Sequence, residues 1–258
     1  MRIGLVGTGQ MGSTVERLAP GRGHEVVAKF DEDRLLSAQD SIEALNGAQV
    51  LIEFSLPNGV LPNVRRYCDW GLSAVIGTTG WYDHVDEVAR LVEGSRASVL
   101  YAPNFSFGIA LLVRALSGMA PLLERLPEYD AFVHEVHHVR KVDSPSGTAL
   151  LLARTLVQAL SRKERIESET QHGAIDPASL HVTSTRAGTI FGEHVVGLDS
   201  PYDRIALTHE ARGREGFAFG ALLAAEWLLG RKGIFTLDDM LDDWLGPERE
   251  SPPTSLET

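Results

Sequence analysis

Residues 134 to 148, His134-Glu-Val-His-His-Val-Arg-Lys-Val-Asp-Ser-Pro-Ser-Gly-Thr148, gather histidines, two cations and a helix start into one short stretch. A histidine titrates near neutrality and moves protons, a lysine brings a full positive charge, and the first amides of a helix attract an anion. Ser146 is placed as an N-cap ahead of the apolar run Ala149–Leu152, so the amides of Gly147 and Thr148 would face a carboxylate. A second chemical stretch, Gly7-Thr8-Gly9-Gln10-Met11-Gly12, directly follows the apolar run Ile3-Gly-Leu-Val6. There Gly7 permits a tight turn, Gly9 lets the backbone approach a pyrophosphate, and Gly12 lets the following helix pack on the strand. Together the two stretches point to the reduction of a small anionic substrate by a dinucleotide.

An acid at the end of the second strand refines the cofactor. Asp31 can accept hydrogen bonds from both ribose hydroxyls and would repel the extra phosphate of NADP. Glu32 and Asp33 strengthen the repulsion, whereas Lys29 and Arg34 offer it a counter-charge. The expected cofactor is NADH or NADPH, with NADH at least as good.

His134-Glu-Val-His-His138 also satisfies the His-Glu-x-x-His pattern of zinc proteases, which works only on a helix. Its flanks, Ala131-Phe-Val and Val139, are β-branched and aromatic, and they predict a strand. Positions four apart on a strand stand about 13 Å from each other, too far to share one ion, so no metal is expected. The single cysteine, Cys68, excludes a disulfide framework and any Cys-x-x-Cys site.

To position these groups the first hundred residues alternate strand and helix, the sign of a parallel sheet with crossover helices. Strands are predicted at Arg2–Val6, Glu25–Phe30, Val50–Phe54, Ala74–Ile76 and Ser98–Tyr101, with helices at Met11–Leu18, Val60–Trp70 and His84–Glu93. Beyond Asn104 the pattern becomes α+β. A helix at Gly108–Leu126 precedes the histidine strand, a helix from Ser146 to Leu160 follows it, and β segments lie at His181–Arg186, His194–Leu198 and Arg204–His209. Phe217–Leu229 and Ile234–Trp244 read as two closing helices. The fold class is therefore α/β: a Rossmann-type parallel-sheet dinucleotide-binding domain, residues 1–105 and 215–258, plus an α+β substrate-binding and oligomerisation domain, residues 106–214.

With 258 residues and 43% hydrophobic content the chain can bury the cores of two modest domains. A formal net charge of −11 argues against nucleic acid as a partner, and an anionic substrate must be drawn by a local cationic pocket. No apolar run is expected to reach membrane-spanning length, and Met1-Arg2-Ile3 leads into a strand instead of a charged leader. A cytoplasmic protein without membrane partners is expected.

Several motifs then carry a resemblance. Gly7–Gly12, Gly77-Thr-Thr-Gly80, Ala102-Pro-Asn-Phe105, Glu135 to Thr148, Arg186-Ala-Gly188, Gly192-Glu-His194, Thr208-His209, Arg214 and Phe217-Ala-Phe-Gly220 together resemble the dihydrodipicolinate reductase family across nearly the whole chain. The resemblance implies reduction of 4-hydroxy-tetrahydrodipicolinate, a small dicarboxylate, to tetrahydrodipicolinate in diaminopimelate and lysine biosynthesis, by a homotetramer. It implies His137 as proton donor or acceptor, Lys141 as second proton donor, and His138, Gly147 and Thr148 as substrate binders. It sets Gly77, Thr78 and Thr79, with Ala102, Pro103, Asn104 and Phe105, around the nicotinamide half of the cofactor. One departure lies after the second strand, where some relatives carry a basic residue and this chain has Glu32. Two other readings share the architecture: an aspartate or diaminopimelate dehydrogenase, and a non-catalytic nucleotide sensor that would have lost Lys141 or His137. Arg186, His194 and Arg214 have weaker claims to the site.

Overall fold

The computed structural model describes residues 1–31, 36 and 42–246. The elements in chain order are β1 (Arg2–Val6), α1 (Gln10–Leu18), β2 (Glu25–Phe30), β3 (Val50–Glu53), α2 (Pro57–Trp70), β4 (Ser73–Ile76), α3 (Val85–Glu93) and β5 (Ser98–Tyr101). There follow α4 (Phe107–Glu124), β6 (Asp130–His137), α5 (Gly147–Ala159), β7 (Arg165–Glu167), β8 (Ser179–Arg186), β9 (Glu193–Asp199), β10 (Arg204–Glu210), α6 (Glu215–Leu228), β11 (Gly233–Thr236) and α7 (Leu237–Leu245). The chain divides into two compact units. One holds residues 1–105 and the chain from Phe217 onward, the other Ser106–Gly216. The second division falls inside α6, which runs unbroken through it, instead of at 214/215.

The first unit is a six-stranded parallel sheet in the order β11-β5-β4-β3-β1-β2. Its central strands are covered on both faces and so read as continuous apolar runs. Val50, Leu51 and Ile52, Ala74, Val75 and Ile76, and Val99 and Leu100 are all fully buried. The strand order reverses at β1, between β2 on one side and β3 on the other, so the loops after β1 and β3 flank the crevice where doubly wound sheets take ligands.

The expected helix over Ile234–Trp244 is corrected by this sheet. Gly233 at φ +120°, followed by Ile234 and Phe235, adds edge strand β11 beside Ser98–Tyr101. The helix starts only after Thr236, whose hydroxyl accepts from the Asp239 amide while the Asp239 carboxylate accepts from the Thr236 amide. Helix α2 likewise begins at Pro57 rather than Val60, because proline is favoured in a first helical turn.

The second unit has a five-stranded mixed sheet in the order β10-β9-β6-β8-β7, with β6 parallel to β8 and antiparallel to β9. Helices α4 and α5 pack together, and their Leu112, Leu116, Leu152 and Leu156 form one core with Val133, Leu180, Val182 and Val196 of the sheet. Strand β7, only three residues long, is absent from the sequence reading because a run that short shows no period. Helix α4 corrects a further expectation. By length and composition its 18 residues are apolar enough to cross a membrane, yet Ile109, Leu112, Leu116, Ala120 and Leu123 form a buried stripe, as in the core helix of a globular domain.

Candidate active site

In the first unit the glycine turn has the geometry its residues predict. Gly7 sits at φ +93°, and a Cβ there would overlap the Phe54 carbonyl, while a Cβ on Gly12 would overlap the Gly7 carbonyl. Among the described residues nothing lies within 4 Å of the position a Gly9 Cβ would take, which leaves room for a ligand against that backbone. Gly9 is also the N-cap of α1 and provides no side-chain cap, so the helix start is open to an anion. Thr8 Oγ1 donates to Asp31 Oδ2 at 2.7 Å, fixing the acid beside the turn. Glu32, Asp33 and Arg34 lie outside the described residues, and Lys29 pairs with Glu16 at 3.1 Å.

The loops after β3, β4 and β5 are knitted together. The Ser55 amide donates to Thr78 Oγ1 at 2.8 Å, Trp81 Nε1 to the Thr78 carbonyl at 2.8 Å, and the Phe54 and Phe105 rings meet edge to face at 6.3 Å. Gly77 is needed there because a Cβ would enter the Phe54 ring. Beneath these loops Glu53 is fully buried, pairs with no cation among the described residues, and is held by Ser55 Oγ at 2.5 Å, Asn63 Nδ2 at 2.8 Å and Tyr67 Oη at 2.8 Å. Burial pushes its carboxyl up against the pull of those three donors. Thus Gly77, Thr78 and Phe105, with the β5 loop from Ala102 on, share the loop cluster at the carboxyl ends of the strands.

In the second unit the alternation of β6 decides which groups meet. Ala131, Val133, Glu135 and His137 all face inward, the first two into the apolar core and the last two into a polar cluster at the strand's end. Sheet register adds the rest. Glu135 stands opposite His194 of β9, and His137 opposite Arg186 of β8. His134 points to the other face, where Nδ1 meets Thr183 Oγ1 at 2.7 Å, so it does not join His137 and His138.

Glu135 is fully buried and both of its oxygens are engaged. Oε2 meets His137 Nδ1 in a short contact, while Oε1 accepts from Arg186 Nη2 at 2.8 Å and from the Ser146 amide at 3.1 Å. Burial raises this carboxyl, but the Arg186 hydrogen bond, its other donors and the His137 charge bring it below the usual range. Burial lowers His137, against the pull of Glu135 and with the help of the Lys141 and Arg186 charges. His194 packs edge to face on His137 at 5.1 Å, and its Nε2 lies 3.2 Å from Ser146 Oγ. Desolvation, with His137 as the next cause, lowers His194 to about 4.

Ser146 caps α5, its Oγ accepting from the Ala149 amide at 3.1 Å, so Gly147 and Thr148 form the first turn. Lys141, in the loop between β6 and α5, pairs with Asp143 at 2.9 Å. Asp143 is raised by desolvation, but Lys141 and the Gly147 amide outweigh that and hold it low. The Asp143 carboxylate is therefore held ionised by a lysine and by the nearby start of α5. His138 Nδ1 is buried and has no hydrogen-bond partner among the described residues. The structure thus gathers His137, His138, Lys141, Gly147 and Thr148 around one end of the second sheet. Arg214, instead, lies over the Phe191 ring at 5.3 Å.

Among the described residues Glu135, His137 and His194 bring ligand atoms within 4.8 Å of one another. Glu135 in this cluster already carries the Arg186 guanidinium and the Ser146 amide on Oε1, and the charges of Arg186 and Lys141 would repel a cation placed there. Sequence reasoning passed over Glu135. The available signal was its place two residues before His137, hence on the same face of the strand.

Two expected outcomes follow from this geometry. A Cβ at Gly192 would lie 2.9 Å from His137 Nε2, so Gly192→Ala must push the imidazole aside. Steady-state turnover should fall about tenfold or more, with cofactor affinity unchanged. His194, neutral in the fold with a pKa near 4, binds fewer protons folded than unfolded between that value and 6.5. Stability should therefore decline as pH falls through that window, by about 3 kcal/mol at most from this group. Urea unfolding from pH 7 to 4.5 should show a shallower decline in His194→Gln.

With that geometry in place, comparison with known proteins is decisive. Residues 1–105 match the family described as dihydrodipicolinate reductase, N-terminus, and residues 108–241 match dihydrodipicolinate reductase, C-terminus. The chain belongs to the dihydrodipicolinate reductase family. Among relatives called 4-hydroxy-tetrahydrodipicolinate reductase, that of Christiangramia forsetii is 33% identical over 243 residues, covering 94% of this chain and 98% of the relative. That of Natronomonas pharaonis is 37% identical over 252 residues, covering 93% and 99%. A solved structure described as dipicolinate-bound dihydrodipicolinate reductase from Paenisporosarcina sp. TG-14 superposes with a TM-score of 0.74 at 22% identity, covering 92% of this chain and 97% of that one. A diaminopimelate dehydrogenase from C. glutamicum shares the fold alone, at a TM-score of 0.51 and 13% identity, with 93% of this chain and 98% of that one covered.

Proposed function

We propose that this chain reduces 4-hydroxy-tetrahydrodipicolinate to tetrahydrodipicolinate with a reduced nicotinamide cofactor, in diaminopimelate and lysine biosynthesis. The observation that carries the reading is the set of His137, His138, Lys141 and the α5 start around one sheet end, in a chain that matches this family in both halves. Substrate and product differ by a hydroxyl replaced by hydrogen. The hydroxyl leaves as water, so the site must supply one proton for each hydride accepted.

The residues divide that work. Gly147, Thr148 and His138 bind the substrate carboxylates, with Lys141 as the full counter-charge, and the substrate takes over the place that Asp143 fills between Lys141 and the helix start. His137 and Lys141 move the proton. The cofactor supplies the hydride when bound. Gly7, Thr8, Gly9, Gln10, Met11 and Gly12 hold its pyrophosphate, Asp31 its ribose, and Gly77, Thr78, Thr79, Ala102, Pro103, Asn104 and Phe105 surround the nicotinamide. The fit is supported by the open space over Gly9 and the uncapped start of α1.

NADH is at least as good a cofactor as NADPH, because Asp31 at the end of β2 places negative charge where the extra phosphate would go, and the next residue in sequence, Glu32, is acidic where some relatives are basic. Specificity constants for the two measured side by side should show no strong preference for NADPH. The reading carries a homotetramer in the cytoplasm with it. The exposed Leu111 and Leu122 on apolar α4 support the assembly. Calorimetric titration with dipicolinate tests the anion grip: binding by the native chain and its loss in His138→Ala support the reading, and indifference of the native chain to dipicolinate contradicts it.

A further inference from the structure

One buried group of the second unit, the Glu135 carboxylate, has no part in the work divided above, and its contacts assign it one. It accepts three contacts from three different parts of the second unit: the His137 ring on its own strand, the Arg186 guanidinium on β8 and the Ser146 amide at the start of α5. Arg186 Nη2 also donates to the Asp143 carbonyl at 2.7 Å, fixing the loop that carries Lys141. We propose that Glu135 is a positioning residue, which, anchored by Arg186, holds the His137 imidazole as its Nδ1–H tautomer and makes Nε2 the atom that exchanges a proton with the substrate.

The contacts fix the direction of each hydrogen bond. An ionised carboxylate only accepts, so His137 Nδ1 must carry a proton toward Oε2, and in the neutral ring Nε2 is then the bare nitrogen. That nitrogen lies on the side kept clear by Gly192, where a Cβ would come within 2.9 Å of it. The charged and titratable groups facing the ring are Glu135 from β6, Lys141 from the following loop, Arg186 from β8 and His194 from β9. Among these groups Glu135 is the negative one, and it stabilises the imidazolium from which Nε2 gives the substrate its proton.

Glutamine at this position tests the assignment. Arg186 Nη2 and the Ser146 amide both donate to Oε1, so an amide NH2 cannot occupy that place without a donor facing two donors. The amide oxygen must sit there, and its NH2 then points at His137 Nδ1. The ring must accept through Nδ1 and carry its hydrogen on Nε2, with no carboxylate left to stabilise the imidazolium that donates from that atom.

The role depends on the reductase reading only for its kinetic consequence, and the experiment separates the two. Histidine-selective nitrogen-15 NMR on the native chain should show His137 as the Nδ1–H tautomer, and in Glu135→Gln as Nε2–H. In parallel, Glu135→Gln should lose about 10²- to 10⁴-fold in kcat, as orienting carboxylates of catalytic histidines do. Both KM values should stay within about threefold, with the histidine limb of the pH–rate profile gone. Glu135→Asp, which keeps the charge, should recover part of the turnover. A His137 found as Nε2–H in the native chain overturns the proposal, as does a Glu135→Gln enzyme with native turnover and pH profile. Should Glu135→Gln fail to fold, the native tautomer decides alone. A native chain inactive on the hydroxy compound would defeat the reductase reading and leave the tautomer result standing.

Discussion

His137→Ala is expected to lower turnover by about 10²- to 10⁴-fold, the range lost with a positioned acid or base. The ring is buried beside a carboxylate, a lysine and an arginine, and the neutral form is favoured because burial outweighs the pull of Glu135. The native pH–rate profile should therefore carry an inflection below the ordinary histidine value, and His137→Ala should lack it. The substrate KM should rise little, because the proposed anion grip lies with Lys141, His138 and α5. A variant with near-native turnover and intact circular dichroism would move the chemistry to His194 or Arg186.

The second large effect belongs to Lys141. Lys141→Ala removes the cation that neutralises Asp143, and the Asp143 carboxylate then faces the incoming dianion at the start of α5. Both terms worsen, so kcat/KM should fall by about 10³-fold or more, the larger part in kcat if lysine also gives a proton. Lys141→Arg separates the two roles. A guanidinium keeps the charge but does not release a proton near neutrality, so KM should recover in part and kcat should stay low. Recovery of kcat by arginine would show that charge alone is required.

The site was legible where chemistry depends on neighbours in sequence. The glycine turn, the Ser146 cap and the histidine strand all announce themselves because turn, cap and alternation are local properties, and each is present in the structure. The zinc pattern needs a helix to bring His134 and His138 onto one face, and residues 130–137 form strand β6 instead. What the sequence hid is set by sheet register. Nothing local says that residue 194 stands opposite 135, or 186 opposite 137, so the Glu135–Arg186 pair and the His137–His194 contact had no signal beyond the period of two. Ile234–Trp244 misread for a similar reason: Ile234 and Phe235 suit a helix as well as an edge strand until Val99 and Leu100 are placed beside them. The role of Glu32 in cofactor choice falls outside the described residues, which leaves that question to kinetics.

The most direct measurement of the central claim is turnover of 4-hydroxy-tetrahydrodipicolinate, generated in the cuvette from pyruvate and aspartate semialdehyde by a condensing enzyme, with cofactor absorbance followed on adding this chain. The account predicts NADH oxidation that requires both the hydroxy compound and the chain, yields tetrahydrodipicolinate one for one, and is inhibited by dipicolinate. No oxidation with this compound, together with reduction of NAD or NADP by diaminopimelate or aspartate, would contradict it and assign the fold to an amino-acid dehydrogenase.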